Sequence, residues 1–132
     1  MKLKTFNTTN IQAFGKANTK PYLQINSGTG LISINKQASD LIGIKDGSQV
    51  QFHQSEETPS DWFIEVVKDA GFIVRTKDSY EDRCVFNSTK LARLIFDSVE
   101  FTGKGGRVYL DEEIKNGKQK LFTLITASLV NE

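Results

Sequence analysis

Few side chains in this 132-residue chain could do acid–base or nucleophilic chemistry: one histidine, His53, one cysteine, Cys84, and carboxylates in short runs. A nucleophilic triad needs a base beside its Ser or Cys and a third group to orient that base. His53 falls on a predicted strand surface ahead of a polar loop, so it reads as an exposed strand residue and not as a base. Cys84 precedes an apolar strand pair, which suits a buried, inert thiol. A structural zinc site takes about four ligands, and one His with one Cys indicates no metal centre. Glu56, Glu57 and Asp61 could form a catalytic pair, but acids on a loop are ordinarily solvated. Asp111-Glu112-Glu113 reads the same way. Gly103-Lys104-Gly105-Gly106 has the composition of a phosphate loop. It lacks the following Ser or Thr and opens no helix, so a hairpin turn accounts for it better. Gly28-Thr29-Gly30 precedes a strand where a dinucleotide fingerprint needs a helix. The chain thus predicts no catalytic residue, no cofactor, no metal and no enzyme.

Bulk charge selects no partner either, since 17 Lys and Arg stand against 16 Asp and Glu, a formal net of +1. The distribution is less even: residues 1–50 carry a net +4, residues 51–82 a net −5 and residues 83–132 a net +2. Lys2, Lys4, Lys16, Lys20, Lys36 and Lys45 lie in the amino-terminal half, and Lys90, Arg93, Lys104 and Arg107 in the second. A single cysteine excludes an internal disulfide and agrees with a reducing compartment. No run approaches the roughly 18 apolar residues of a membrane span, and residues 1–14 lack a signal-peptide core. The expectation is a cytoplasmic protein that does not enter a membrane. The sequons at Asn7 and Asn87 read as chance matches.

The elements that must position these residues centre on 30–52. Leu31, Ile32 and Ile34 form a β-prone apolar run. Asn35 stands where a helix N-cap belongs, and Ala38, Leu41 and Ile42 share one helix face at i, i+3 and i+4. Gly43 or Gly47 can supply the positive φ that leaves the helix. Val50 and Phe52 alternate with Gln49, Gln51 and His53 as on a half-buried strand. Upstream, residues 3–6 suggest a strand, 7–21 a loop or tether, and 22–25 a strand that turns through 26–30. Downstream, 54–60 reads as an acidic loop, Trp62–Val67 as a core strand, 72–75 as a strand and 76–82 as a charged loop. The order then recurs. A strand at 83–86 leads to Asn87 or Ser88 as cap of a helix over 89–96, whose apolar face is Leu91, Leu94 and Ile95. Val99 and Phe101 resume strand alternation, and 107–111 forms a further strand. Asn116-Gly117 favours a hairpin turn into a closing strand over 121–125.

These readings combine into one mainly β domain over 1–132, a small barrel with two short helices. A first ββαββ unit over 22–67 and a degenerate second over 72–111 suggest internal duplication, followed by a closing segment at 115–127.

Gly30-Leu31-Ile32-Ser33-Ile34-Asn35-Lys36, the short helix ending Leu41-Ile42-Gly43-Ile44, and Lys45-Asp46-Gly47-Ser48-Gln49-Val50 together resemble the AbrB-like swapped-hairpin fold. The likeness is strongest over 22–67. That family belongs to the cradle-loop barrels, which also include double-psi barrels. The resemblance implies a barrel built from two units and DNA binding through basic residues on its β-surface. In this chain Leu31 follows the glycine where the family has Arg or Lys, Asn35 replaces its proline, and Gln37 to Asp40 include no basic residue.

Three functional readings follow. The first is a DNA-binding regulatory module with Lys36, Lys45, Lys90 and Arg93 on the phosphates, Lys36 and Lys90 sharing a face across a pseudo-twofold axis. The second is a noncatalytic protein-interaction or structural subunit, including self-association, which an apolar surface patch would favour. The third is a small barrel enzyme, which a deep pocket gathering His53 with two carboxylates would favour.

Overall fold

A computed structural model describes residues 20–77 and 80–129. Its elements are strands β1 (Tyr22–Asn26) and β2 (Leu31–Ile34), helix α1 (Lys36–Ile42), strands β3 (Gln49–Gln54), β4 (Trp62–Val67), β5 (Phe72–Ile73), β6 (Arg75–Lys77) and β7 (Tyr80–Asn87), helix α2 (Thr89–Ser98), and strands β8 (Gly105–Asn116) and β9 (Gln119–Ile125). All pair antiparallel in the order β5-β3-β4-β9-β8-β1-β2-β7-β6, and the sheet curls into a nearly closed barrel. Residues 72–77 join its two edges. β5 pairs with β3 while β6 pairs with β7. Between them Val74 accepts from Gly47 N and donates to Ser48 O.

Inside the barrel the alternating residues of the strands meet: Leu23 and Ile25, Ile32 and Ile34, Trp62 and Ile64, Val108 and Leu110, Phe122 and Leu124. Phe86 stacks on Phe72 with ring centroids 5.0 Å apart, and Phe52 packs against both. Burying this much apolar area is the main favourable term in folding.

Strand pair, helix, strand pair occurs twice: β1–β2, α1, β3–β4, and then β6–β7, α2, β8–β9. The two N-caps, Asn35 and Ser88, stand 53 residues apart, as do the first helical residues Lys36 and Thr89. The same shift maps the β2–β7 register onto itself, because Leu31↔Asn87 becomes Cys84↔Ile34. An approximate twofold axis therefore crosses the middle of that strand pair. The second arrangement ends later than the sequence suggests, since β8 and β9 carry it to Ile125.

Several local expectations hold. Asn35 Oδ1 accepts from Ala38 N and from Tyr22 N, while its Nδ2 donates to Lys20 O, so one amide caps α1 and pins the start of β1. Gly43 leaves α1 at φ +87°. Cys84 is a buried free thiol.

Others change. The expected strand at Val99 and Phe101 is absent, because α2 continues to Ser98 and Phe101 N bonds back to Phe96 O. The expected loop at 76–82 is largely strand in β6 and β7. Both helices are also rotated from the expected phase. α1 buries Ala38 and Ser39 and leaves Leu41 49% exposed, whereas α2 buries Ala92 and Phe96 beside Leu91 and Ile95 and leaves Leu94 outside. The expected strand at 3–6 and most of the tether at 7–21 lie outside the described residues.

Gly30 tests this packing. Its φ is +77°, and an added Cβ would sit 2.4 Å from Thr89 Oγ1 at the start of α2. Gly43 has a similar φ with open space around it. Gly43→Ala should cost about 1 kcal/mol from the left-handed backbone alone. Gly30→Ala should cost about 3 kcal/mol, because overpacking adds to that strain. Urea midpoints measure the difference.

Candidate functional site

Strand direction decides which groups can meet. β2 and β7 run antiparallel, so α1 leaves the barrel where Ile34 pairs with Cys84, and α2 leaves where Leu31 pairs with Asn87. The helices therefore sit at opposite ends. The α2 end also carries the β3–β4 loop with exposed Glu56, Glu57 and Asp61, held by Thr126 Oγ1 donating to Ser60 O and by Trp62 Nε1 donating to Ser98 Oγ. The α1 end carries the turn between β8 and β9 and the β4–β5 connection.

At the α1 end lies a cleft of about 290 Å³. Leu41 and Ile42 from α1, Val66 from β4 and Phe122 from β9 give it an apolar floor. Glu65, Glu113, Lys118 and Lys120 give it charged walls. Val66 faces the barrel interior beside Val50 but lies at the mouth, where it stays 39% exposed. The volume is at the lower end of small-ligand pockets, roughly 300 Å³ and above. It suits a side chain or two of a docked segment.

Glu65 forms the polar flank of this cleft. It stands on the outer face of β4, opposite Gln51 of β3, and is only 9% exposed. Gln51 Nε2 donates to its Oε1 at 2.8 Å, and His53 Nε2 reaches the same oxygen at 2.8 Å. Burial alone raises the Glu65 pKa. Hydrogen bonds from Gln51 and His53, the positive charge of protonated His53 and a bond from Gln119 outweigh burial and hold the carboxyl below its ordinary value.

His53 is thus half-buried and bonded, where the sequence suggests an exposed strand residue. It gains one carboxylate; Glu113 lines the cleft, which His53 does not line. No cluster of three or more His, Cys, Asp or Glu that could hold a metal occurs among the described residues.

The four residues expected on phosphates are all exposed. Lys36 opens α1, and Lys45 follows it in the turn where its N–H donates to Ser48 Oγ, so both belong to the α1 end. Lys90 and Arg93 lie on α2 at the other end. The antiparallel pairing separates the two sets. Sequence reading missed Glu65, the one charged residue in Trp62–Val67, whose place in a β-prone run was the available signal. It also missed Lys118 and Lys120, which the Asn116-Gly117 turn carries to the cleft.

Comparison with protein-family models, curated proteins and solved structures finds no match to this chain. No helix among the described residues is long and apolar enough to cross a membrane.

Because the Glu65 pKa is depressed in the folded protein, its ionised form contributes stability above the ordinary carboxylate pKa of about 4.3. That contribution is lost as pH falls through the lower folded value. Glu65→Gln should cost about 1–2 kcal/mol near neutral pH and should flatten the acid limb of a melting-temperature profile. An acid limb identical to wild type would remove Glu65 from this role.

Proposed function

We propose that this chain is a noncatalytic protein-interaction module whose docking surface is the cleft at the α1 end. One observation carries the reading: Leu41 and Val66, two large apolar side chains, remain 49% and 39% exposed over the buried Phe122. Apolar side chains gathered in a concave site rimmed by charge mark interaction surfaces more often than scattered ones do. The internal hydrogen bonds of Glu65 favour a structural role for that carboxylate over proton transfer.

Duplex DNA is the competing occupant. In its favour, Lys36, Lys45, Lys90 and Arg93 are exposed, and none joins an ion pair among the described residues. Against it, they are divided between the two ends of the barrel.

One set of variants separates these readings. Leu41→Asp and Val66→Asp should keep the wild-type circular dichroism spectrum and abolish partner capture. Lys36→Glu and Lys90→Glu should leave capture intact. Binding of random-sequence duplex DNA that falls steeply with salt and is lost in Lys36→Glu and Lys90→Glu would overturn the protein-interaction reading in favour of DNA.

A further inference from the structure

We infer that the cleft takes an acidic polypeptide segment with an apolar anchor, read by the lysines of the β8–β9 hairpin; this rests on the protein-interaction reading. β8 and β9 join through Gly117 and Lys118, with Gly117 at φ +64°. At the tip, Lys115 pairs directly with Lys120 across the strands. Like charges placed opposite each other on a sheet repel and destabilise the pair. Lys118 adds a third ammonium in the turn. All three are exposed, and none joins an ion pair among the described residues. The hairpin therefore carries a repulsion that bound carboxylates would relieve.

The hairpin's register directs that charge toward the cleft. Pairing shifts by one residue between Leu110 and Glu113, a bulge that bends β8 and sets Glu113 opposite Phe122. Alternation then places Lys115 and Lys120 on the Glu113 and Phe122 side of the hairpin. Lys118 and Lys120 line the cleft above Leu41, Ile42 and Val66. A segment with carboxylates spaced along an extended backbone would meet the ammoniums while one apolar side chain covers the floor. Lysine suits this task, since its compact charge and flexible stem accept acids at varied positions.

The chain's own acidic loop is a poorer occupant. Glu56, Glu57 and Asp61 lie at the far end of the barrel, and the residues between Gln54 and Trp62 include no large apolar side chain. Phosphate of a nucleic acid would leave the apolar floor of Leu41, Ile42 and Val66 uncovered.

The test is fluorescence anisotropy on the full chain with a labelled peptide in which Leu-Phe is flanked by glutamates. Controls are the same peptide with glutamines, polyglutamate and duplex DNA. The acidic Leu-Phe peptide should bind most tightly, with affinity falling as salt rises. Lys118→Glu and Lys120→Glu should each weaken it by about tenfold, an effect of the size expected from a like-charge clash. Lys115→Glu makes the sharpest variant: it converts a repelling cross-strand pair into an attracting one, so the urea midpoint should rise while peptide affinity falls. A glutamine peptide that binds equally well would overturn the acidic specificity and leave the cleft reading standing. If no Leu-Phe peptide binds, both fall. DNA outcompeting the acidic peptide, or concentration-dependent dimers lost in Lys118→Glu, would assign the lysines to a nucleic acid or to a second copy instead.

Discussion

The pairing of β2 with β7 is the constraint on which the rest of this molecule depends. Four cross-strand pairs, from Leu31↔Asn87 to Ile34↔Cys84, join the two ββαββ arrangements one strand in from the β6 edge of the sheet. The strands are antiparallel and each runs into a helix, so the helices are sent to opposite ends of the barrel. Gly30 lets β2 pass against the first turn of α2, where Thr89 leaves no room for a Cβ. Asn35 does the complementary work at the other end, tying the start of β1 to α1. A slip of one residue in this register would turn Ile32, Ile34, Cys84 and Phe86 out of the core.

From that constraint the chemistry of the two ends follows. The α2 end receives the acidic β3–β4 loop. The α1 end receives the β8–β9 hairpin, whose lysines overhang a cleft that the short α1 leaves partly open. Leu41 is exposed there because α1, only seven residues long, turns Ala38 and Ser39 inward instead. A longer helix with a wider apolar face could have covered Val66 and closed the barrel mouth. The candidate site is in this sense a consequence of an incomplete cap.

Much of this was legible in the sequence, and the parts that were not share a cause. Local chemistry read well: the Asn35 cap, the left-handed Gly43, the strand Trp62–Val67 and the Asn116-Gly117 turn are decided by nearest neighbours. The barrel and its two helices followed from the order of those elements. Helix phase did not read well. Ala38 with Ser39, and Ala92 with Phe96, face the core because the barrel wall against which each helix packs sets its rotation, which leaves Leu41 and Leu94 on the outer side. The length of α2 was missed because Val99 and Phe101 mimic strand alternation, yet Phe101 turns back to pack on Phe96. The Glu65 cluster depends on β3, β4 and β9 lying side by side, a long-range fact that no local pattern carries. For the same reason Lys36 and Lys90, each in the first turn of its helix, were expected on one face, and antiparallel pairing places them at opposite ends.

The central claim is that the α1 end, and not α2, meets the partner. The most direct measurement is an amide chemical-shift map of the nitrogen-15-labelled chain titrated with the glutamate-flanked Leu-Phe peptide. The account predicts shifts confined to Leu41, Ile42, Val66, Phe122 and the hairpin from Glu113 to Lys120. Shifts centred on Lys90, Arg93 and their neighbours in α2 would contradict it.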